Sequence, residues 1–375
     1  YLDLDENGIH DHGSSSVYDD SSPGFGEPMY QAKDQNSDGF LSTNEYFMRL
    51  EQSTILATYD PNSGECVRGT NLTNTAPDTN GHGTSVQGII AANNESHHFS
   101  GLAPNADLLS FDAFAGGFAN AQSWGTQRNA DVMLYEVGGW ISTPMDGTTP
   151  VELSIDQLAN AGIVQINPAG NLGGKNKVMQ GLLPDVDDSI GPLTTKFEVQ
   201  SNNRPDSTWI SYVIPNGNSI GFVEITKPGG SPVDVSSSSG YVNLGNDDWV
   251  WLGVDNSARN TNNLNLAFSN SNGLTVGVWD IDIAGPTSQG RVLFRGYEAD
   301  SVSSWSGGST WREPSPSSLA SIGDNGTVTW PATADNAITI ASWATRARYS
   351  YVLPGELSLF SSRGTRINDG MPLVD

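Results

Sequence analysis

The chain reads as an α/β domain built on a mostly parallel sheet with helices on both faces, interrupted by an inserted β-sandwich of jelly-roll type. Three observations predict this. Apolar strand candidates alternate with helix-patterned segments between residues 78 and 190. The helical pattern then disappears between 191 and 300, where short strand candidates are separated by Asn, Gly, Pro and Ser clusters. Finally, an apolar strand, "NAITIASWA", reappears after residue 331. Alternating strands and helices favour a parallel sheet covered on both sides, whereas runs of short strands with turn signals favour a sandwich.

Taken in order, residues 1–77 are polar, with one short helix expected over Glu45–Gln52. In 78–190, the first part of the α/β domain, "ADLLSFDAF" reads as a strand and "ADVMLYEVGG" as a buried strand. "PVELSIDQLANAG" carries apolar residues at helical spacing and closes on Gly162, and "IVQINPAGN" is a further buried strand. Eight strand candidates fill 191–300, among them "STWISYVI", "WVWLGV" and "LTVGVWDIDI". The four tryptophans Trp209, Trp249, Trp251 and Trp279 alternate along these strands, which reads as core; a carbohydrate- or protein-binding face is the alternative. Residues 301–330 read as a linker, and 331–375 as the continued, truncated α/β domain.

Bulk chemistry narrows the partners. A 375-residue chain with 36% hydrophobic content and 33 aromatic residues can bury a real core. Seventeen Lys and Arg against 42 Asp and Glu leave a formal charge of −25, which repels nucleic acid and anionic membranes. No run is long enough to span a bilayer, and Cys66, the single cysteine, permits no internal disulfide.

The chain has five histidines, and His82 stands in "DTNGHGTSVQGIIAANN" between two glycines at the start of an apolar helical stretch. Imidazole titrates near neutral pH, so an exposed histidine held by a tight glycine turn suits proton shuttling. Taken alone, the same stretch also fits a surface or capping histidine.

Further segments decide the reading. "NGHGTSVQGIIAA", "GLAPNADLLSFDAF", "ADVMLYEVGGW", "IVQINPAGNLGG" and the pair "NAITIASW" and "LSLFSSRGTRINDG" occur in the order found in subtilisin-like serine proteases. Over about 78–175 and 331–375 the chain resembles that family. The resemblance implies a secreted endopeptidase acting on protein or peptide substrates, with His82 the general base of a Ser–His–Asp triad and Asn171 a donor to the oxyanion. It further implies that Val137, Gly138 and Gly139 offer backbone groups to an extended substrate, with Gly116 and its neighbours from Ala115 to Phe118 on the opposing edge. Glu136 stands where the family has a small polar residue.

Two departures stand out. Gly-Thr-Ser occurs only at Gly83–Ser85, inside the histidine motif, and the chain stops at "MPLVD", so the nucleophile is expected outside it. The polypeptide by itself is then expected not to hydrolyse peptides. The catalytic aspartate is either Asp5, in "YLDLDENGI", or a residue before Tyr1. A non-catalytic homologue that binds peptides, and an adhesion or carbohydrate-binding protein built around the sandwich, are the rival readings.

A separate signal is "DQNSDGFLSTNEY". Asp34, Asn36, Asp38, the Phe40 carbonyl and Glu45 follow the spacing of a calcium-binding EF-hand loop, with Gly39 at the sharp turn and Ser42 also in pattern. Calcium is therefore the expected cofactor. "DLDENGIHD", Asp3–Asp11, resembles half such a loop.

Overall fold

A computed structural model describes residues 29–33, 46–50, 54–61, 64–67, 81–94, 99–238, 240–302, 308–344 and 353–370. The chain divides into two compact units, Tyr1–Ala130 and Asp131–Asp375.

In the first unit β1 (Met29–Lys33) pairs antiparallel with β2 (Tyr46–Leu50), in a register running from Met29 opposite Leu50 to Lys33 opposite Tyr46. The helix expected over Glu45–Gln52 is therefore a strand over most of its length. Tyr46 and Phe47 favour extended structure, and a partner strand outweighs the modest helical preference of Met48, Arg49 and Leu50. β3 (Ile55–Asp60) lies between β4 (Gly64–Val67), antiparallel, and β7 (Leu108–Phe111), parallel. The ring of Phe111 stacks on Tyr59 at 5.0 Å, with Trp124 tilted against both. Helix α1 (His82–Ala91) is followed by the short pair β5 (Asn93–Asn94) and β6 (Phe99–Ser100), and α2 (Ala113–Gly116) by α3 (Phe118–Gln127).

The second unit opens with β8 (Val132–Leu134), α4 (Pro150–Asn160) and β9 (Val164–Pro168). The strands β10 (Val178–Leu183), β11 (Leu193–Val199), β12 (Ser207–Ile214), β13 (Phe222–Thr226), β14 (Val233–Asp234) and β15 (Gly240–Gly245) follow. Then come β16 (Asp248–Asn256), β17 (Asn262–Ser269), β18 (Gly277–Ala284), β19 (Val292–Asp300), β20 (Ser309–Ser315), β21 (Ala320–Ile322) and β22 (Ile338–Ile340).

Three sheets organise these strands. β22, β9 and β8 form a parallel sheet in which β9 is central. A seven-stranded antiparallel sheet has the order β15-β16-β17-β12-β19-β10-β21, and a five-stranded one the order β14-β13-β18-β11-β20. β9 and β22 are neighbours although both antiparallel sheets lie between them in sequence. The antiparallel sheets feed one core: Ile210, Tyr212, Phe268 and Phe294 from the first, and Phe197, Trp279, Ile281 and Trp311 from the second, are all fully buried. Phe197 stacks on Trp279 at 5.6 Å. Strict alternation along β11, inward at Leu193, Thr195, Phe197 and Val199, is the period-two pattern that sets this core.

Four local expectations change. Residues 309–315 and 320–322, within the stretch read as a linker, supply edge strands to both sheets. β10, placed by sequence before the β-rich region, belongs to the seven-stranded sheet. The strands β8 and β9 are not wholly buried, since Val132, Leu134 and Val164 are exposed. Of the four tryptophans, only Trp279 is core; Trp209 and Trp249 are 37% and 39% exposed and Trp251 is half-buried.

Candidate active site

His82 is the first residue of α1 and is exposed. Gly81 caps the helix with φ of +77°, a left-handed backbone that glycine adopts without penalty. The Gly81 carbonyl accepts from the Ser85 amide and hydroxyl at 3.0 and 2.8 Å, so the first turn is anchored on the residue just before His82.

Gly116 closes the helical turn α2, where its amide donates to the Asp112 carbonyl. The expected extended edge at Ala115–Phe118 is thus helical up to Gly116, with Gly117 at a φ of +79° before α3 begins at Phe118. Asp112 caps α2 through its carboxylate, which accepts from the amides of Phe114 and Ala115. A Cβ on Gly116 would meet the Phe111 ring at 2.6 Å, so close packing requires glycine there.

Asn171 lies in the second unit, exposed, on the turn that leaves β9. The backbone on either side of it is held by hydrogen bonds. Ala169 donates to the Ile340 carbonyl, and its own carbonyl accepts from the Thr329 amide. The Gly170 carbonyl accepts from the Ser362 amide at 2.9 Å, and the Leu172 amide donates to the Ser362 hydroxyl at 3.0 Å. The Gly173 amide donates to the Phe360 carbonyl, and that of Gly174 to the Asp324 carboxylate at 2.7 Å. Ser362 is fully buried and so brackets Asn171 on both sides. Preorganised donors of this kind need no rearrangement when charge develops.

The glycine segment lies against the same scaffold. A Cβ on Gly138 and a Cβ on Gly170 would each meet the buried Thr329 hydroxyl at 2.6 Å. Thr329 thus brings the segment Val137–Gly139 and the Asn171 turn together. Gly139 is already paired: its amide donates to the Trp330 carbonyl at 2.9 Å and its carbonyl accepts from the Trp330 amide at 2.8 Å. Its N–H is committed within the fold. Val137 and Gly138 are half-buried, and Glu136 is exposed.

Behind this segment stands α4. Thr149 and Glu152 form a capping box with Pro150 in the first turn, and Trp330 donates its indole N–H to the Thr149 hydroxyl at 2.8 Å. Glu152 is fully buried and also accepts from the Thr333 hydroxyl; burial pushes its carboxyl up to about 7 despite these hydrogen bonds.

Sequence reading singled out Asn171 as a candidate but not Ser362 or Thr329. "FSSRG" stood in a family-like loop and "GTVTW" in the stretch read as a linker, and nothing in their spacing announces a hydrogen bond across nearly two hundred residues. The calcium-type ligands Asp34, Asn36, Asp38, Phe40 and Glu45, and the candidate Asp5, lie outside the described residues. Among the described residues, no group of three or more His, Cys, Asp and Glu side chains has a metal-binding arrangement. No helix among them is long and apolar enough to cross a membrane.

A family model for subtilases matches residues 56–309, and the chain belongs to the subtilase family. It is 34% identical over 103 residues to a thermostable alkaline protease of Halalkalibacterium halodurans, covering 26% of this chain and 27% of that protein. It is also 34% identical over 108 residues to subtilisin E of Bacillus subtilis, covering 27% of each. The matched stretch therefore spans about a quarter of the length of these curated relatives. The structure of the Clostridium perfringens CspB protease superposes with a TM-score of 0.64 at 16% identity, covering 84% of this chain and 68% of that one. At that identity the likeness is one of fold.

Proposed function

We propose that this chain carries the general base and the oxyanion donor of a serine endopeptidase of the subtilisin type. In this reading His82 takes the proton from a serine hydroxyl as the oxygen attacks the peptide carbonyl. It then returns the proton to the departing amine, leaving an acyl-enzyme that water cleaves by the same steps. Asn171 donates its side-chain amide to the oxyanion formed at each attack. The serine and aspartate that complete a triad are not assigned to residues of this chain. Protein or peptide substrates pair with Val137 and Gly138, and the Gly116 turn is a further substrate-binding element. The two antiparallel sheets are read as a sandwich inserted into the α/β domain.

The observation that carries this reading is the placement of Asn171: an exposed residue on the turn that leaves the central parallel strand β9, with both flanking residues clamped by one buried serine. The test is hydrolysis of a fluorogenic peptide by the whole protein. Asn171→Ala is expected to lower kcat by about 10²–10³-fold, the magnitude known for this donor in a subtilisin. His82→Ala is expected to leave only the residual rate that binding and the oxyanion site supply. Unchanged turnover in His82→Ala overturns the reading.

We also infer that residues 34–45 hold one calcium ion, with oxygens from Asp34, Asn36, Asp38, Glu45 and the Phe40 carbonyl. Support comes from the register of β1 and β2: Lys33 and Tyr46, the residues flanking this stretch, are themselves opposite each other. Titration with calcium is expected to raise the melting temperature, and chelation to reverse the rise. Asp38→Ala should remove the response, and a response that survives Asp38→Ala with Glu45→Gln excludes the loop.

A further inference from the structure

We infer that the outer face of the seven-stranded sheet carries a binding platform for a neutral polysaccharide. The register places four residues from four adjacent strands in one row on one face: Tyr241 on β15, Trp251 on β16, Ala267 on β17 and Trp209 on β12. Their core-facing neighbours Val250, Leu266, Phe268, Ile210 and Tyr212 point the other way, into the shared core. Tyr241 is 71% exposed and Trp209 37%, while Trp251 is half-buried. Large aromatic rings are expensive to leave in water, so an exposed row of them marks an interaction site.

Geometry and charge select the ligand. Adjacent strands lie about 4.8 Å apart, so Tyr241 and Trp251 act together, and Trp209 stands about 9.6 Å from Trp251. That separation is roughly the span of two linked pyranose rings. Ala267 fills the gap with a methyl group, which leaves a level surface rather than the side-chain pockets a peptide needs. The Trp251 indole leans over Gly253 of its own strand, where a Cβ would collide with it. Beside the aromatics, the row of Gly253, Asn265 and Ser211 marks where the platform ends: Asn265 and Ser211 are buried, and the Ser142 amide donates to the Ser211 hydroxyl at 2.8 Å. The Ser211 hydroxyl donates to Asn265 at 2.6 Å, and Asn265 donates to the exposed Asp255 carboxylate at 3.2 Å. On their outward face these four strands carry that one carboxylate and no Lys or Arg; Asp248, also on β16, is fully buried. With the whole chain at −25, anionic polymers are repelled, and sugar rings that stack their C–H faces on indole while their hydroxyls hydrogen-bond to the exposed Asn243 and Asp255 side chains are matched. The inference does not depend on the hydrolytic reading.

The test uses the full chain titrated with cellohexaose and, separately, with N-acetylated chitohexaose, followed by calorimetry and tryptophan fluorescence. At least one hexasaccharide should bind saturably. Trp251→Ala and Trp209→Ala should each weaken binding by about tenfold or more, with melting temperatures that match the parent. Gly253→Ala, which displaces the Trp251 ring without removing it, should weaken binding as well. Three results overturn the proposal: no binding of either sugar at millimolar concentration, binding indifferent to both tryptophan substitutions, or a face occupied instead by a proline-rich peptide or a second copy of the chain. Sedimentation and a proline-rich peptide titration with the same variants read the last of these.

Discussion

At the scale of single residues, the candidate site depends on groups that are buried and distant in sequence. Ser362 holds the Gly170 carbonyl and the Leu172 amide, so removing its hydroxyl leaves the buried Leu172 N–H without a partner. Ser362→Ala is expected to cost about 1–3 kcal/mol in urea unfolding. On the proposed reading, in the whole protein it should lower kcat by less than removal of Asn171 does, with KM nearly constant, because the proposed donor is loosened rather than lost. Equal losses in kcat and stability-matched controls at other buried sites would deny Ser362 this positioning role. Glu152 carries a pH signature. Its carboxyl is held at about 7 against an ordinary 4.5, so the fold favours the protonated form. The associated stability is fully present below about pH 4.5 and is lost as pH rises to about 7, a change on the order of 3 kcal/mol. Glu152→Gln should erase that difference when denaturation is compared at pH 4.5 and pH 8.

At the scale of elements, local chemistry and pairing compete. Helix α4 was legible because several independent signals agree: Thr149 and Glu152 at capping-box spacing, Pro150 in the first turn, apolar residues at helical intervals, and Gly162 just beyond the end. Thr149→Ala should destabilise the protein by about 1–2 kcal/mol in thermal or denaturant unfolding, since it removes the cap and the acceptor of the Trp330 indole together. The segment Tyr46–Leu50 went the other way. Its residues are nearly neutral between helix and strand, and the partner Met29–Lys33 decided the outcome. Strand positions in the β-rich region were also legible from period two, but not which face of each strand was inward at the sheet edges. Trp209, Trp249 and Trp251 alternate as regularly as core residues do; only the strand order shows that they lie on the face away from Trp279 and the shared core.

At the scale of the whole molecule, the second unit is tied together by a charge cluster that no motif announces. The Lys177 ammonium, fully buried, donates to Glu298 at 2.8 Å, to Asp300 at 3.0 Å and to the Ser309 carbonyl at 2.6 Å. It thereby joins the turn after Asn171 to β19 and β20. Two carboxylates share one ammonium, and burial pushes Glu298 up to about 7. Lys177→Met strands both acids in the interior and should cost about 3–5 kcal/mol of stability. Restoring part of that loss with Glu298→Gln in the same chain would confirm that the penalty is electrostatic. What the sequence by itself determined was the family and the change of texture from α/β to β-rich, and it also supplied the candidates His82 and Asn171, because each is written in residues close together in the chain. The tertiary structure alone decided that Ser362 and Thr329 grip the Asn171 turn, that Gly139 is already paired, that residues 309–322 are strands, and that three tryptophans face outward. Those outcomes depend on hydrogen bonds and registers between segments far apart in sequence, and local patterns of hydrophobicity do not encode which distant partner a strand will meet.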